Sequence, residues 1–258
     1  MARSPEHRDG GGILYIVATP IGNSADITLR ALEVLSDVDL VACEDTRRTG
    51  ALLAAHRIKK PLLSYFEHNE ERRVPDLIER MRAGENIALV TDAGTPAISD
   101  PGYRLVRAAH EAGIRVTAIP GASAAIAALS ISGLASDRFT FEGFLPSKNT
   151  ARRKTLETLQ NESRTMIFYE AARRLGDTLA QMAEVLGGAR EAVIARELTK
   201  TYEETIRGSL AQLADRYRDE EALGEIVIIV AGASEHDPKA TSNNMISIED
   251  LIEAGLSL

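Results

Sequence analysis

The sequence predicts an α/β protein whose first half forms a parallel sheet, and three observations lead to this fold class. Short apolar runs rich in β-branched residues, such as 13–18 and 114–119, have the length and composition of buried strands. Stretches with helical spacing of apolar residues separate these runs. Five such β–α alternations lie within about 120 residues, a pattern that predicts parallel strands with helices on both faces.

The elements of this first half follow in order. Asp26 is a plausible N-cap for a helix that carries Leu29, Leu32 and Leu35 on one side. Pro101 suits the first turn of another helix, because the missing N–H of proline costs nothing there. The predicted strands are 13–18, 38–43, 61–65, 86–91 and 114–119, and the predicted helices are those from Asp26, at 46–56, at 69–83, from Pro101 to Gly113 and at 124–129.

The second half reads as a separate, mixed sheet. Two successive strands on either side of Lys200 predict a hairpin, so at least part of this sheet is antiparallel. After a linker at 130–138, the predicted strands are 139–144, 165–169, 189–196, 203–207 and 225–230, and the predicted helices are 151–160, 173–186 and 210–217. The predicted organisation is a flexible lead-in at 1–12, an N-terminal α/β domain at 13–130, a C-terminal α/β domain at 138–232, and an acidic, flexible tail at 233–258 with a short helix capped by Ser247.

Composition limits the class of protein. The single cysteine, Cys43, excludes an internal disulfide and fits a reducing compartment such as the cytoplasm, and no apolar run is long enough to cross a membrane. The net charge of −8 argues at first against a nucleic-acid partner, but residues 219–258 alone carry −8. Residues 145–176 carry seven basic and three acidic side chains, so a basic patch remains compatible with the composition.

Three loops leave the carboxyl ends of predicted parallel strands, where ligands of open α/β sheets bind. They are 19–23, 92–100 and 120–123. The first loop lacks the Gly-x-Gly-x-x-Gly pattern of dinucleotide folds, and no Walker-type phosphate loop is present. An ordinary NAD enzyme or P-loop NTPase is therefore disfavoured.

Residues 92–102 combine Gly94, Pro96, Pro101 and Gly102 in one short stretch. Such a stiff loop of small residues suits close approach of a ligand to the backbone, although a plain tight connection between strand and helix remains the alternative. The loop that enters the next helix through Gly121 and Ser123 could offer free backbone N–H groups to polar ligand atoms. Here the alternative is that Ser123 simply caps the helix.

Gly121-Ala-Ser-Ala-Ala125 also resembles a degenerate nucleophile elbow, which raises a hydrolase alternative. Such enzymes place a histidine after the serine, and the only histidine after Ser123 is His236, in the predicted tail. The hydrolase alternative is therefore weak. No metal site is predicted, because His56, His68 and His110 are scattered and read as surface residues.

Taken together, these loops resemble the tetrapyrrole methylase family of S-adenosylmethionine methyltransferases. The resemblance covers residues 13–232 and rests on an ordered set of segments, each weak alone and specific together. They are Leu14-Tyr-Ile-Val-Ala-Thr-Pro-Ile-Gly-Asn23, Cys43-Glu-Asp-Thr-Arg47, Ser64-Tyr-Phe-Glu-His-Asn69, the run from Thr91 to Gly102, Ile119-Pro-Gly-Ala-Ser123, Phe144-Leu-Pro146, Phe168-Tyr-Glu170 and Ala195-Arg-Glu-Leu-Thr-Lys200.

The resemblance implies a two-domain fold, a homodimer and S-adenosylmethionine folded into a cleft between the domains. It is closest to the branch that methylates a cytidine ribose 2′-oxygen in 16S ribosomal RNA of the small (30S) subunit, which implies that RNA partner. C-methylation of a tetrapyrrole and a catalytically silent RNA-binding protein on the same fold are the alternatives. The cofactor contacts implied by motif matching are Pro20, Asp92, Gly94, Thr95, Pro96, Ala97, Ile98, Ser99, Gly121, Ser123, Ala124, Tyr169, Glu170 and Ile226.

A ribose hydroxyl is a weak acid, so a proton acceptor is expected near the reacting oxygen. The candidates are Glu197 and Lys200, with Asp45 and Asp100 behind them, and a surface ion pair is the alternative for the first two. The expected RNA contacts are Arg47, Arg48, Lys148, Arg152, Arg153, Lys154 and Arg173, although a solvated helix face would explain Arg152 to Lys154 equally well. One departure from the family concerns Ala171-Ala172-Arg173-Arg174, where relatives usually carry proline and histidine before the final arginine.

Overall fold

The computed structural model describes residues 11–220 and 222–233, which form two compact units divided between Ala124 and Ala125. The flexible lead-in predicted at 1–12 and the predicted tail with its helix at Ser247 lie almost entirely outside the described residues. Each unit contains one five-stranded sheet. The predicted α/β class is confirmed, whereas the predicted domain bounds stay a prediction.

Unit 1 contains a fully parallel sheet in the strand order β3-β2-β4-β1-β5. Its strands are β1 (Ile13–Val17), β2 (Leu40–Cys43), β3 (Leu62–Ser64), β4 (Ile87–Val90) and β5 (Arg115–Ile119). Its helices are α1 (Leu29–Asp37), α2 (Thr46–Ala55), α3 (Glu70–Arg82) and α4 (Tyr103–Glu111), and α5 (Ala124–Ser132) begins at the division.

Alternation along the strands explains why helices cover both faces of this sheet. Leu40 and Ala42 of β2 face a core shared with α3 and α4, whereas Val41 and Cys43 face a second core shared with α1 and α2. The same alternation divides the four residues of β4 between the two cores. Because successive side chains of a strand point to opposite faces, a continuous apolar run is what a sheet buried on both sides requires.

Two predicted helix starts in unit 1 are wrong by a few residues. Thr28, not Asp26, caps α1, because its side chain accepts the N–H of Ala31, while Asp26 lies in a short 3₁₀ turn. The helix predicted to begin at Pro101 begins at Tyr103, with Gly102 as its N-cap residue. In the first case the local hydrogen bond of the Thr28 side chain sets the start, and in the second the difference is two residues, the usual uncertainty of a helix end.

Unit 2 contains the predicted mixed sheet, in the order β6-β7-β10-β8-β9. The strands β8 and β9 pair antiparallel on either side of Lys200, so the predicted hairpin is confirmed. Among the strands of this sheet in the described residues, β6 and β7 pair parallel and the other neighbours pair antiparallel. The elements are β6 (Phe139–Phe144), α6 (Asn149–Thr158), β7 (Thr165–Ala171), α7 (Leu175–Leu186), β8 (Glu191–Arg196), β9 (Glu204–Ser209), α8 (Leu210–Arg216) and β10 (Glu225–Val230).

The turn from β7 into α7 is held by a buried carboxylate. The Glu170 side chain is 1% exposed. It accepts hydrogen bonds from the Ala171 N–H (2.7 Å), the Thr178 hydroxyl (2.7 Å) and Arg174 Nη2 (3.0 Å). Arg174 also donates to the carbonyl oxygen of Leu145, at 2.8 Å. This network joins β7, α7 and the end of β6, and so stabilises the second sheet and its helices as one unit.

Glu170→Gln tests this network. The variant leaves the Arg174 guanidinium without its counter-ion, and breaking a buried pair costs about 3 kcal/mol or more, reduced here because Arg174 keeps some contact with solvent. We therefore expect a fall of about 2–3 kcal/mol in the free energy of unfolding, measured with urea. Glu184→Gln, which breaks an exposed pair with Arg153, is the control and should cost below about 1 kcal/mol. Equal losses in the two variants would contradict the assignment.

Candidate active site

The three loops predicted to bind a ligand meet at the carboxyl edge of the parallel sheet. Thr19 and Gly94 exchange two backbone hydrogen bonds, of 2.9 and 3.1 Å, and so join the ends of β1 and β4. The Thr19 hydroxyl donates to the carbonyl oxygen of Thr91 at 3.1 Å. The Thr95 hydroxyl donates to the carbonyl oxygen of Ala122 at 3.1 Å, which ties in the loop after β5. Residues 19–23, 91–102 and 120–123 therefore form one connected site, here called the three-loop site.

The backbone of the three-loop site is strained at two non-glycine positions. Ala97 and Ser99 have φ values of 68° and 60°, in the left-handed region that costs most residues energy. Ile98 and Ser99 are exposed, while Gly94 and Pro96 are buried beneath them. Such strain persists only when the surroundings impose it, and it concentrates at ligand-binding segments. This supports the ligand-loop interpretation of residues 92–102 over a plain connector.

The loop after β5 packs too closely for a side chain at Gly121. A Cβ atom there would lie 2.9 Å from the Cβ of Ala18, closer than packed carbon atoms approach. This explains the glycine between the ends of β1 and β5. Pro20 and Ser123 are partly exposed beside it, so both remain available to a ligand.

Three carboxylates surround Thr91 in the three-loop site. The Thr91 hydroxyl donates to Glu44 Oε2 at 3.1 Å, and Asp92 Oδ1 accepts the backbone N–H of Asp45 at 3.2 Å. Burial, together with the nearby charges of Glu44 and Asp92, raises the pKa of Asp100 to about 6. The Asp100 carboxyl is thus poised to gain and lose a proton near neutral pH, as a general acid or base must.

Asp45 lies close by but has the opposite chemistry. Its carboxylate caps α2 through the Arg47 N–H at 2.8 Å and pairs with Arg47 Nη2 at 2.7 Å. These hydrogen bonds lower the pKa of Asp45 to about 2, so it is a weak proton acceptor. Arg47 and Arg48 both extend into solvent, and Arg48 also approaches Asp92 at 3.4 Å.

Glu197 and Lys200 meet in the turn between β8 and β9. Lys200 Nζ donates to Glu197 Oε1 at 2.8 Å and to Glu225 Oε2 at 3.0 Å. The hydrogen bond from Lys200 lowers the pKa of Glu197. Burial alone would lower the pKa of Lys200, but its two carboxylate partners outweigh burial and raise it. Lys200 therefore stays protonated, and its positive charge suits orientation of a ligand or contact with a phosphate better than removal of a proton.

Two residues predicted to touch the cofactor from unit 2 have other roles. The carboxylate of Glu170 accepts hydrogen bonds from Ala171, Arg174 and Thr178 in the buried network of unit 2. Ile226 points into the core of unit 2, and its strand, β10, is paired on both sides, so its backbone is also occupied. The third such residue, Tyr169, accepts the Ala125 N–H through its hydroxyl at 3.2 Å, within unit 2. Phe141 and Phe144 hold the Tyr169 ring edge-to-face.

Apart from Arg47 and Arg48, the basic residues predicted to contact RNA divide into three groups. Arg152 is buried, 2% exposed, and donates to Gln181 and Asn149 at 2.7 and 2.8 Å, so its prediction as a surface contact is wrong. Arg153 is exposed but paired with Glu184 and Glu157. Lys148, Lys154 and Arg173 are exposed, and within the described part of the chain their side chains have no hydrogen-bonded or charged partner.

Two residues of the site are not predicted by any local sequence pattern. Glu44 lies in the Cys43-Glu-Asp segment, and its charge raises the pKa of Asp100. Glu70, in the first turn of α3, accepts the Gly102 N–H at 2.8 Å and so anchors the far end of the 92–102 loop. Its side chain is nearly buried, with Arg104 Nε at 3.6 Å. An acidic residue at a helix start was a signal for a cap, not for a loop anchor.

Neither a metal site nor a membrane helix is found in the described residues. No group of three or more His, Cys, Asp or Glu side chains in residues 11–220 and 222–233 could hold a metal ion. No helix in the same ranges is long and apolar enough to cross a membrane.

Comparison with known proteins identifies similar families, sequences and folds. Residues 13–214 match the family described as tetrapyrrole (corrin/porphyrin) methylases. The protein named ribosomal RNA small subunit methyltransferase I of Haemophilus influenzae is 52% identical over 238 residues, 92% of this chain and 83% of that protein. The protein of the same name from Escherichia coli O157:H7 is 51% identical over 252 residues, 96% of this chain and 87% of its own length.

Among solved structures, the uroporphyrin-III C-methyltransferase of Thermus thermophilus superposes with a TM-score of 0.61 at 20% identity, covering 85% of this chain and 94% of its own. A cobalt precorrin-4 methyltransferase gives a TM-score of 0.63 at 20% identity, with the same coverage. At this level of identity, the two structures establish the shared fold alone.

Glu70→Gln tests the loop anchor. Replacing the carboxylate with a neutral acceptor weakens its hydrogen bond to Gly102 by about 1 kcal/mol. Local opening of residues 92–104 should therefore increase roughly fivefold, measured as amide hydrogen exchange. Glu71→Gln, which alters only an exposed pair with Arg104, is the matched control and should leave this exchange unchanged. Unaltered exchange in Glu70→Gln would contradict an anchoring role.

Asp100→Asn tests the raised pKa. A carboxyl whose pKa is higher in the folded state stabilises the fold when protonated, and this contribution is lost as pH rises through about 6. At pH 7.5, the free energy of unfolding of Asp100→Asn should therefore exceed that of the parent by on the order of 1 kcal/mol. The difference should vanish near pH 4. Urea titrations at several pH values measure both free energies.

Asp45→Asn is the control of opposite sign. The lowered pKa of Asp45 stabilises the fold above about pH 4, and this stabilisation is lost as pH falls through about 2. The variant should therefore be less stable than the parent at pH 7.5. Destabilisation of both variants at that pH would refute the Asp100 assignment.

Proposed function

Because this chain belongs to the tetrapyrrole methylase family, we propose that it methylates a cytidine ribose 2′-oxygen in 16S ribosomal RNA of the small subunit. The family is dependent on S-adenosylmethionine, and S-adenosylmethionine is the cofactor of this methyltransferase. The substrate is inferred from relatives about half identical to the chain over nearly its whole length. The chemistry rests on the placement of Asp100, a partly buried carboxyl of the three-loop site near the charges of Glu44 and Asp92, and its raised pKa supports this role.

The residues of the three-loop site fit the cofactor. Small side chains and strained backbone at Ala97 and Ser99 leave polar backbone groups accessible beside Pro20 and Ser123. The carboxylates of Glu44 and Asp92 suit a cationic ligand, since opposite charges attract strongly where water is partly excluded. We assign cofactor binding in this unit to Pro20, Asp92, Gly94, Thr95, Pro96, Ala97, Ile98, Ser99, Gly121 and Ser123, with Ala124 at the start of α5. When bound, the cofactor supplies an electrophilic methyl group on a sulfonium.

The protein must then orient the ribose and accept its proton. Asp100, ionised above about pH 6, would accept the proton of the 2′-hydroxyl. That oxygen would take the methyl group of the bound cofactor, and the electron pair of the broken carbon–sulfur bond would stay on sulfur as a thioether. Correct alignment alone supplies roughly 7–11 kcal/mol of such a barrier, so the rigid loop connections matter as much as the base. Two other candidates are poorer proton acceptors. Asp45 has a pKa near 2, and Lys200 stays protonated.

Several residues of unit 2 have structural or RNA-binding roles rather than a role in proton transfer. Tyr169 holds the first turn of α5, and the Glu197–Lys200 pair fixes a strained turn in which Glu197 has a φ of 51°. We assign the exposed cations Lys148, Lys154 and Arg173 to RNA phosphates, because their side chains form no ion pair within the described residues. Arg173 then occupies the place at which relatives carry histidine.

The assembly and location of the protein remain part of the proposal. The family resemblance implies a homodimer, which sedimentation equilibrium of the purified chain would reveal as twice the 27.9 kDa chain mass. A ribosomal RNA substrate implies the cytoplasm.

The proposed function is tested by methylation of 30S subunits, bare 16S ribosomal RNA and a tetrapyrrole precursor in parallel. We expect 2′-O-methylcytidine in digested RNA, and no transfer to the tetrapyrrole. Asp100→Asn should lower the single-turnover rate by roughly 10²- to 10⁴-fold at pH 7.5, whereas Asp45→Asn should change it little. The parent rate should rise with pH through about 6.

Calorimetry with S-adenosylmethionine separates the remaining alternatives. The parent and Asp100→Asn should bind it with affinities within roughly threefold of each other. Transfer to the tetrapyrrole alone would overturn the RNA substrate. Absence of cofactor binding would overturn catalysis in favour of a silent RNA-binding protein.

A further inference from the structure

Three helices of unit 1 end in the same way. In each, an N–H bonds to the carbonyl oxygen five residues earlier: Ile58 to Leu53 (2.9 Å), Glu85 to Arg80 (3.1 Å), and Ile114 to Ala109 (2.8 Å). The residue before each of these donors has a positive φ. This is the C-terminal motif in which a left-handed residue ends the helix, and glycine is the usual residue there.

The sequence uses glycine in two of the three motifs and arginine in the third. The left-handed residues are Gly84 after α3 (φ 98°), Gly113 after α4 (φ 69°) and Arg57 after α2 (φ 60°). An L-residue with a Cβ atom pays roughly 1–2 kcal/mol for this conformation, which glycine avoids. Arg57 is exposed, and its side chain has no hydrogen bond or ion pair within the described part of the chain. Within the described residues, the conformation is held by the backbone hydrogen bonds of the motif, from Arg57 N–H to Ala54 and from Ile58 N–H to Leu53, and the Arg57 side chain adds no contact of its own.

Arg57 begins a cluster of cations that lacks acidic neighbours in sequence. Lys59 is exposed and Lys60 is partly exposed, and neither has a charged partner among the described residues. Between Asp45 and Glu67 the chain carries five basic residues and no acidic one. Several other surface arginines of unit 1 are paired, as in Arg80–Glu85 and Arg107–Glu111, whereas Arg72 and Arg115 stand singly without an ion pair in the described residues. We call Arg57, Lys59 and Lys60 the basic ridge.

The basic ridge lies at the opposite edge of the sheet from the three-loop site. α2 starts beside Asp45 at the carboxyl edge, and its ten residues span about 15 Å. β3 follows the ridge and runs parallel to β2, so the ridge precedes the amino end of a strand. A ligand of the ridge is thus separate from the reacting groups, and a molecule that reaches both must be large.

We propose that the basic ridge binds the phosphate backbone of the RNA substrate, as a docking surface remote from the reacting nucleotide. This rests on the proposed function. Unpaired arginine and lysine side chains bind phosphates by charge and release counterions, without reading sequence. Binding of RNA then supplies the interaction that Arg57 lacks within the protein, and explains why a strained arginine stands where glycine would be more stable.

Arg57→Gly separates binding from stability. It removes one charge and relieves the backbone strain, so its thermal midpoint should equal or exceed that of the parent while its affinity for 16S ribosomal RNA falls. A merely structural role for Arg57 predicts the reverse, lower stability with unchanged affinity, and that result would overturn the proposal.

The triple variant Arg57→Gly, Lys59→Gln, Lys60→Gln tests the ridge as a whole. Affinity for labelled 16S ribosomal RNA is measured by anisotropy between 50 and 200 mM KCl. The slope of log affinity against log salt concentration is negative, and its magnitude should fall by roughly 2–3 in this variant. KM for 30S subunits should rise, with kcat and S-adenosylmethionine affinity unchanged. Arg80→Gln, Arg82→Gln, Arg107→Gln, which removes the same charge from paired positions of unit 1, is the control and should keep most of the parent slope.

The outcomes distinguish this inference from the proposed function. If the parent methylates ribosomal RNA and the ridge variant keeps its salt slope and KM, the docking surface is refuted while the function stands. The same holds if the control variant loses as much slope as the ridge variant. If the parent methylates no RNA, the proposed function itself fails.

Discussion

The two hydrogen bonds between Thr19 and Gly94 are the constraint on which the site depends. Parallel strands diverge into loops at their carboxyl ends, and nothing in the sheet itself holds those loops together. The Thr19–Gly94 pair extends the contact between β1 and β4 beyond the last residues of both strands. Thr19 is also hydrogen-bonded to Thr91, and Thr95 to Ala122, so the three loops are joined into one site. A reaction that depends mainly on alignment needs loops held in fixed positions.

Carboxylates of this protein show how environment alone assigns chemical roles. Asp45 is partly exposed and accepts hydrogen bonds from Arg47, so its charge is stabilised and its pKa is about 2. Asp100 is partly buried beside Glu44 and Asp92, so its charge is penalised and its pKa is about 6. Glu170 is held as the counter-ion of Arg174. The same functional group thus serves as a helix cap, a proton acceptor and a structural anchor.

Much of the fold could be predicted from the sequence because its signals are local. The apolar runs that became strands, and the hairpin around Lys200, follow from residue period alone. The meeting of the three loops follows from a topological rule for parallel sheets. Glu70 could not be predicted, because its partner Gly102 is 32 residues away and no local pattern connects them. Arg152 was recoverable: it stands four residues before buried Leu156, on the inward face of α6.

Backbone strain separates the chemistry of this chain from its architecture. Of the five non-glycine residues with positive φ in the described ranges, Ala97 and Ser99 lie in the three-loop site. Glu197 and Thr199 lie in the turn that holds Lys200. Arg57 alone lies outside both, in a motif that the same unit builds twice with glycine. The backbone hydrogen bonds of that motif hold Arg57 in the left-handed region, so its conformation is fixed while its side chain stays unpaired among the described residues. An arginine held in this way beside Lys59 and Lys60 has the charge that the proposed phosphate contact requires.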